Sequence, residues 1–214
     1  CILSLGKSKS GKSYNTTFLL NYFTLERKIF KGGLVFLGSQ GLNDDYSYLP
    51  KKCIINGYDE QLLQRYVAKV KDYRERTGKP PPASFLVFDD LLGQLNGSPW
   101  FQNFISTYRH YNITVFINVQ YLKNRTSSTL LREQVSYAFI FNTKTRNTID
   151  ALHECFGQLF DSFEEFKQHF LNTTKEKHTA MLYITDRENV LHNYYKFKAP
   201  ANFTAKKITF TWYT

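Results

Sequence analysis

Residues Gly6-Lys7-Ser8-Lys9-Ser10-Gly11-Lys12-Ser13 match the pattern G-x-x-x-x-G-K-[ST] at every fixed position. No other feature of the chain constrains the fold as tightly. The apolar run Ile2 to Leu5 precedes the octapeptide, and a helix-forming stretch from Tyr14 to Phe23 follows it. Strand, glycine loop and helix, in that order, is the context in which this pattern forms a phosphate-binding loop. The glycines let the backbone bend until successive N–H groups point inward at phosphate oxygens. The start of the next helix adds the positive end of its dipole. In such a loop Lys12 reaches the β- and γ-phosphates, and the Ser13 hydroxyl holds Mg²⁺. A plain glycine-serine turn would not require lysine immediately before serine at the helix start.

The rest of the chain reads as alternating strands and helices. After Gly32-Gly33, taken as a break, Leu34 to Leu37 is a second strand; Gly38 to Pro50 reads as loop, and Cys53 to Ile55 as a short strand. Asp59 caps a helix running to about Arg76, with Leu62, Tyr66, Val67 and Val70 on one face and Gly78 as its stop. Phe85 to Phe88 is a third apolar strand. Ser98-Pro99 starts a helix with a capping residue and proline at the first turn, and Phe101, Phe104, Ile105 and Tyr108 form its apolar face. Ile113 to Val119 and Tyr137 to Phe141 are strands, with a short helix from Thr126 to Gln134 between them. Helices follow near Thr145 to Cys155 and Ser162 to Phe170. Thr179 to Ile184 and Val190 to Phe197 read as a late β-hairpin around Asp186 to Asn189, and the tail after Pro200 as an edge strand or an arm. The alternation predicts an α/β fold with a mostly parallel sheet and helices on both faces. The 214 residues suit a single domain, with a core to about residue 145.

Composition narrows the functional classes. A formal charge of +10 suits a polyanionic partner and equally suits plain solubility. Three cysteines, far apart and without a C-x-x-C pair, predict a reducing setting and no structural zinc. The five histidines do not cluster with cysteine or acids at ligand spacing, so no metal beyond Mg²⁺ is expected. No apolar run approaches the ~18 residues of a membrane span.

A second motif completes the chemistry. Phe85-Leu86-Val87-Phe88-Asp89-Asp90 has the form of a Walker B strand, four apolar residues and then an acid. Following a good phosphate loop, Asp89 is the metal-side acid, and Asp90 is placed to orient or deprotonate the attacking water. Gln120, at the end of the Ile113 to Val119 strand, is either a γ-phosphate sensor or an ordinary polar strand end. Arg109 is either a helix-end cation, worth ~0.3–1 kcal/mol through the dipole, or an arginine finger. Residues 61–79 carry Arg65, Lys69, Lys71, Arg74, Arg76 and Lys79 against Asp72 and Glu75. A solvated helix face explains them better than a DNA track.

Gly6 to Ser13, Phe85 to Asp90, Arg109-His110-Tyr111-Asn112-Ile113 and the strand ending at Gln120, in that order, resemble the FtsK/HerA superfamily of P-loop ATPases. Within it they look most like the genome-packaging ATPases of large eukaryotic DNA viruses and virophages. The resemblance covers residues 1 to about 145. It implies an additional-strand P-loop fold with sheet order 5-1-4-3-2, ATP and Mg²⁺ as cofactors, and translocation of double-stranded DNA into a capsid. It also implies a homo-oligomeric ring, a pentamer or hexamer, contacts with capsid or other virion proteins, and a location in the host cytoplasm, viral factory or virion. The family's finger maps onto Arg109, with Arg125 and Arg132 as alternatives, and its sensor onto Gln120. Lys123-Asn124-Arg125 is the candidate DNA-facing loop. The family's Walker B aspartate is commonly followed by glutamate; here Asp90 is one methylene shorter. A P-loop nucleoside or nucleotide kinase is the competing reading, although the chain offers no convincing arginine-rich lid, and a slowly hydrolysing nucleotide switch is a third.

Overall fold

The computed structural model describes residues 1–38, 44–120, 133–185, 193–210 and 212. Among the described residues there are eight strands: β1 (Ile2–Leu5), β2 (Gly32–Leu37), β3 (Ile54–Asn56), β4 (Ser84–Asp89), β5 (Ile113–Val119), β6 (Tyr137–Phe141), β7 (Ala180–Ile184) and β8 (Tyr194–Phe197). The helices are α1 (Lys12–Asn21), α2 (Glu60–Thr77), α3 (Leu92–Asn96), α4 (Pro99–Thr107), α5 (Arg146–Phe156) and α6 (Phe163–Thr173). The sheet order is β3-β2-β4-β5-β1-β6-β7-β8. From β6 to β2 it runs in the expected order 5-1-4-3-2, but the sheet is longer than that expectation, with β3 added at one end and β7 and β8 at the other. The short β3 pairs in parallel with Val35 to Leu37, and β7 and β8 continue beyond β6 in antiparallel register.

The chain divides into two compact units, residues 1–16 with 118–203 and residues 17–117 with 204–214. In the first, β1 and β6 pair in parallel from Ile2↔Tyr137 to Leu5↔Ile140. Leu3, Leu5, Ile140 and Phe141 are buried there, and α5 and α6 contribute Ile149, Leu152, Phe166 and Phe170 to the core. In the second unit β2 and β4 pair in parallel from Gly32↔Ser84 to Leu37↔Asp89. All six residues of each strand are buried, the continuous burial of a parallel strand covered on both faces.

Two local expectations change. Gly32 and Gly33 do not break the chain but open β2. A Cβ on Gly33 would stand 2.6 Å from three atoms of the Phe85 ring, so glycine here lets an aromatic side chain cross the backbone. On α2 the fully buried leucine is Leu63, not Leu62. Leu63, Tyr66, Val67 and Val70 make the i, i+3, i+4, i+7 stripe. The caps of α2 are as read: Asp59 accepts from Leu62 N–H, and Gly78 closes the helix at φ 64°. Ser98 caps α4 by accepting from Phe101 N–H at 2.9 Å. The tail after Pro200 is an arm rather than a strand: Ile208 N–H donates to the Tyr48 carbonyl at 2.9 Å, and Ile208 and Phe210 are buried. The Thr126 to Gln134 helix falls largely outside the described residues, as does the Asp186 to Asn189 turn.

Candidate functional site

The phosphate-binding loop lies wholly in the first unit. Leu5 ends β1, and Gly6 N–H donates to the Val119 carbonyl at 3.2 Å. A Cβ on Gly6 would stand 2.6 Å from Ser10 Oγ and 2.7 Å from Phe141 Cβ, so the first motif glycine is demanded by close approach. The chain turns back through Ser10 N–H to the Lys7 carbonyl at 3.2 Å. Lys9 and Gly11 take positive φ of 61° and 111°. Asn15 N–H then donates to the Gly11 carbonyl at 2.9 Å and winds the first turn of α1.

Lys12 is only 6% exposed. Its ammonium folds over the loop and donates to the carbonyls of Gly6 at 2.7 Å and Lys7 at 3.1 Å. A buried cation on a ring of backbone groups is suited to an anionic ligand. Lys7, Ser8 and Lys9 are exposed on the outer arc of the loop, Ser10 and Ser13 half-buried. Gln120 is exposed at the end of β5 and lines a cavity of about 230 Å³ with Gly6, Lys7, Phe141 and Thr143.

Two neighbours of this loop carry no sequence signal. His178, at φ 61°, places Nδ1 3.2 Å from the Ser10 carbonyl, beside Gly11. Tyr14 donates its hydroxyl to the Pro200 carbonyl at 2.6 Å and meets Phe203 edge-on at 6.0 Å. Both contacts join the start of α1 to chain more than 160 residues away.

The acidic pair lies in the second unit. Asp89 ends β4 and is 1% exposed; Asp90 is half-buried in a left-handed conformation at φ 58°. Aspartate tolerates this region better than most residues, and its use at a strand end commonly marks a constrained functional turn. Gly38 N–H donates to the Asp89 carbonyl at 2.8 Å. Tyr46 donates its hydroxyl to Asp89 Oδ2 at 2.7 Å. Tyr46 and Tyr48, within the stretch Gly38 to Pro50 that reads as loop, are 0% and 6% exposed. Burial first, and the Asp89 charge second, hold the Tyr46 phenol well above its ordinary value, so it is a neutral donor.

Arg109 is exposed, in a 3-10 turn (Tyr108–Tyr111) that follows α4. Its Nε donates to the Tyr108 hydroxyl at 3.2 Å, and the guanidinium stands 5.8 Å from that ring's centre. The basic face of α2 is exposed and partly occupied with its own neighbours: Arg76 pairs with Asp72 at 2.8 Å, and Lys71 lies over Tyr111. Arg125, Arg132 and Lys123-Asn124-Arg125 lie outside the described residues. Among the described residues no group of three or more His, Cys, Asp or Glu could hold a metal, and no helix is long and apolar enough to cross a membrane. Cys1, Cys53 and Cys155 form no disulfide with one another.

Comparison with known proteins places this arrangement. Residues 2–157 match the Poxvirus A32 protein family. The chain belongs to that family. The matched span includes the phosphate loop, both acids, Arg109 and Gln120. A curated relative is the uncharacterized protein 075L of Invertebrate iridescent virus 6, 27% identical over 186 residues, 86% of this chain and 69% of that protein. Among solved structures, the genome packaging NTPase B204 from Sulfolobus turreted icosahedral virus 2, in complex with AMPPCP, superposes with a TM-score of 0.63 at 12% identity. That match covers 92% of this chain and 96% of the other. The cytoplasmic domain of the Type VII secretion ATPase EccC from Thermomonospora curvata gives a TM-score of 0.63 at 14% identity, over 92% of this chain and 25% of the other. This A32 family member therefore shares the α/β P-loop fold of those two proteins, the class of fold that the resemblance implied.

Proposed function

We propose that this P-loop ATPase couples ATP hydrolysis to movement of double-stranded DNA into a viral capsid, working as a homo-oligomeric ring of five or six subunits. The observation that carries the nucleotide half is the complete Gly6–Ser13 loop with Lys12 drawn across its carbonyls. The packaging half is supported by membership of the A32 family and by a fold shared over nearly its whole length with a genome packaging NTPase.

In this reading Lys12 brings positive charge to the β- and γ-phosphates, and the loop N–H groups of residues 6–13 cradle them. Mg²⁺ prefers hard oxygen ligands and takes few from protein when phosphates supply the rest. The Ser13 hydroxyl and the Asp89 carboxylate fit that preference, and we assign them to it. When bound, the ion neutralises phosphate charge. Asp90 orients the attacking water or takes its proton, Gln120 senses the γ-phosphate, and Arg109 reaches a neighbouring subunit's nucleotide. Capsid or other virion proteins would dock the ring, in the host cytoplasm, the viral factory or the virion.

ATP turnover by the purified chain, measured with and without double-stranded DNA, tests the proposal. Strong stimulation by duplex is expected. A rate indifferent to DNA would sink the translocase reading, and phosphate transfer to a nucleoside would replace it with the kinase.

A further inference from the structure

A buried carboxylate is costly unless its oxygens are paired. Asp89, 1% exposed, has Oδ2 held by a phenol that is itself 0% exposed. Tyrosine is an unusual choice for this task. A lysine or arginine would bind the carboxylate more strongly but would cancel its charge. A neutral hydroxyl holds Oδ2 without bringing a charge of its own.

The segment that carries Tyr46 is itself anchored. Thr17 Oγ1 donates to the Asp45 carbonyl at 3.2 Å, Leu49 N–H donates to the Tyr46 carbonyl at 2.9 Å, and the C-terminal arm donates from Ile208 to Tyr48. The backbone on the other side of Asp89 is gripped as well. Gly38 N–H donates to the Asp89 carbonyl, and the place of a Gly38 Cβ lies 2.3 Å from the Asp90 carbonyl oxygen. Gly38 and Tyr46 therefore hold the same acid, one by backbone and the other by side chain. A loop that served packing alone would gain as much from phenylalanine at position 46.

We infer that Tyr46 is a positioning residue for Asp89, holding its carboxylate in one orientation for a role in binding Mg²⁺. The inference rests on the metal-side role proposed above for Asp89. It predicts that the hydroxyl, not the ring, matters for the metal. Partners that orient metal-ligating groups typically alter metal affinity 10–100-fold when removed.

The test is Mn²⁺ affinity, read by paramagnetic resonance in the presence of a non-hydrolysable ATP analogue, on the full chain. Tyr46→Phe should weaken Mn²⁺ binding by about 10-fold or more, while analogue binding in chelator stays near wild type. In an Asp89→Asn background, Tyr46→Phe should add little, because its effect passes through the carboxylate. Wild-type Mn²⁺ affinity in Tyr46→Phe, alongside a clear loss in Asp89→Asn, overturns the inference and leaves the ATPase reading intact. Wild-type affinity in Asp89→Asn overturns the metal-side role and the inference together. If Tyr46→Phe does not fold, 3,5-difluorotyrosine placed at 46 decides. Its stronger hydrogen bond should draw charge from Asp89 and weaken Mn²⁺ several-fold, and an unchanged affinity overturns the proposal.

Discussion

The position that a Cβ on Gly38 would occupy lies 2.3 Å from the carbonyl oxygen of Asp90. Backbone cannot yield there as a flexible side chain would, because Asp90 already sits at φ 58°. Gly38→Ala must therefore displace the turn that carries both acids. Overpacking of this kind costs about 1–3 kcal/mol. Urea denaturation should show that loss, and ATP turnover should fall by more than stability alone explains, because Asp90 moves.

Lys12→Ala removes the only side-chain cation within the phosphate loop that is buried. Nucleotide affinity should drop severely and hydrolysis should become undetectable. Turnover near wild type, measured by phosphate release, would overturn the ATPase assignment.

The neighbouring acids should separate cleanly. Asp89→Asn is expected to impair Mg²⁺-dependent nucleotide binding and hydrolysis together. Asp90→Asn should keep ATP bound and barely hydrolysed, because only water activation is lost. Equilibrium binding and single-turnover hydrolysis distinguish the two, and the reverse pattern would exchange their roles.

Arg109 is exposed and leans on Tyr108. As a trans-acting finger its contribution would be ~10³–10⁵ in rate. Arg109→Ala protein should bind ATP normally and fail to hydrolyse it. Mixed with Lys12→Ala protein, which keeps the arginine but has a dead loop, it should recover part of the activity. No recovery in assemblies shown to be mixed would make Arg109 a helix-end cation or a cis-acting group.

Stability should fall in alkali. Tyr48 and Tyr66 are 6% and 4% exposed, and burial pushes both phenols well above 10. In the unfolded chain they ionise near 10. The folded form keeps protons that the unfolded form releases, so their contribution is complete below about pH 10 and declines above it. The slope is up to about 1.4 kcal/mol per pH unit for each tyrosine. Denaturation between about pH 9 and about pH 11 should show this decline, with tyrosinate absorbance from these residues appearing only on unfolding.

The phosphate loop, the Walker B strand and the caps of α2 and α4 were legible in the amino-acid order because each is made by neighbours in the chain. Gly6, Gly11, Lys12 and Ser13 fall within eight residues, and Asp59 and Ser98 cap donors only three positions ahead. Apolar periodicity likewise set the strand-helix alternation, although it admitted Leu62 as readily as Leu63. Contacts across long stretches of chain were not legible. Tyr46 meets Asp89 across 43 positions and His178 meets Ser10 across 168. Nothing local distinguishes Tyr46 from Tyr48 in the same loop, and Gly33 reads as a break until Phe85 is seen crossing it. Local patterning determined which residues could do the chemistry. Tertiary packing decided which side chains hold them in place, because a buried hydrogen bond forms only where the fold has brought two distant segments together.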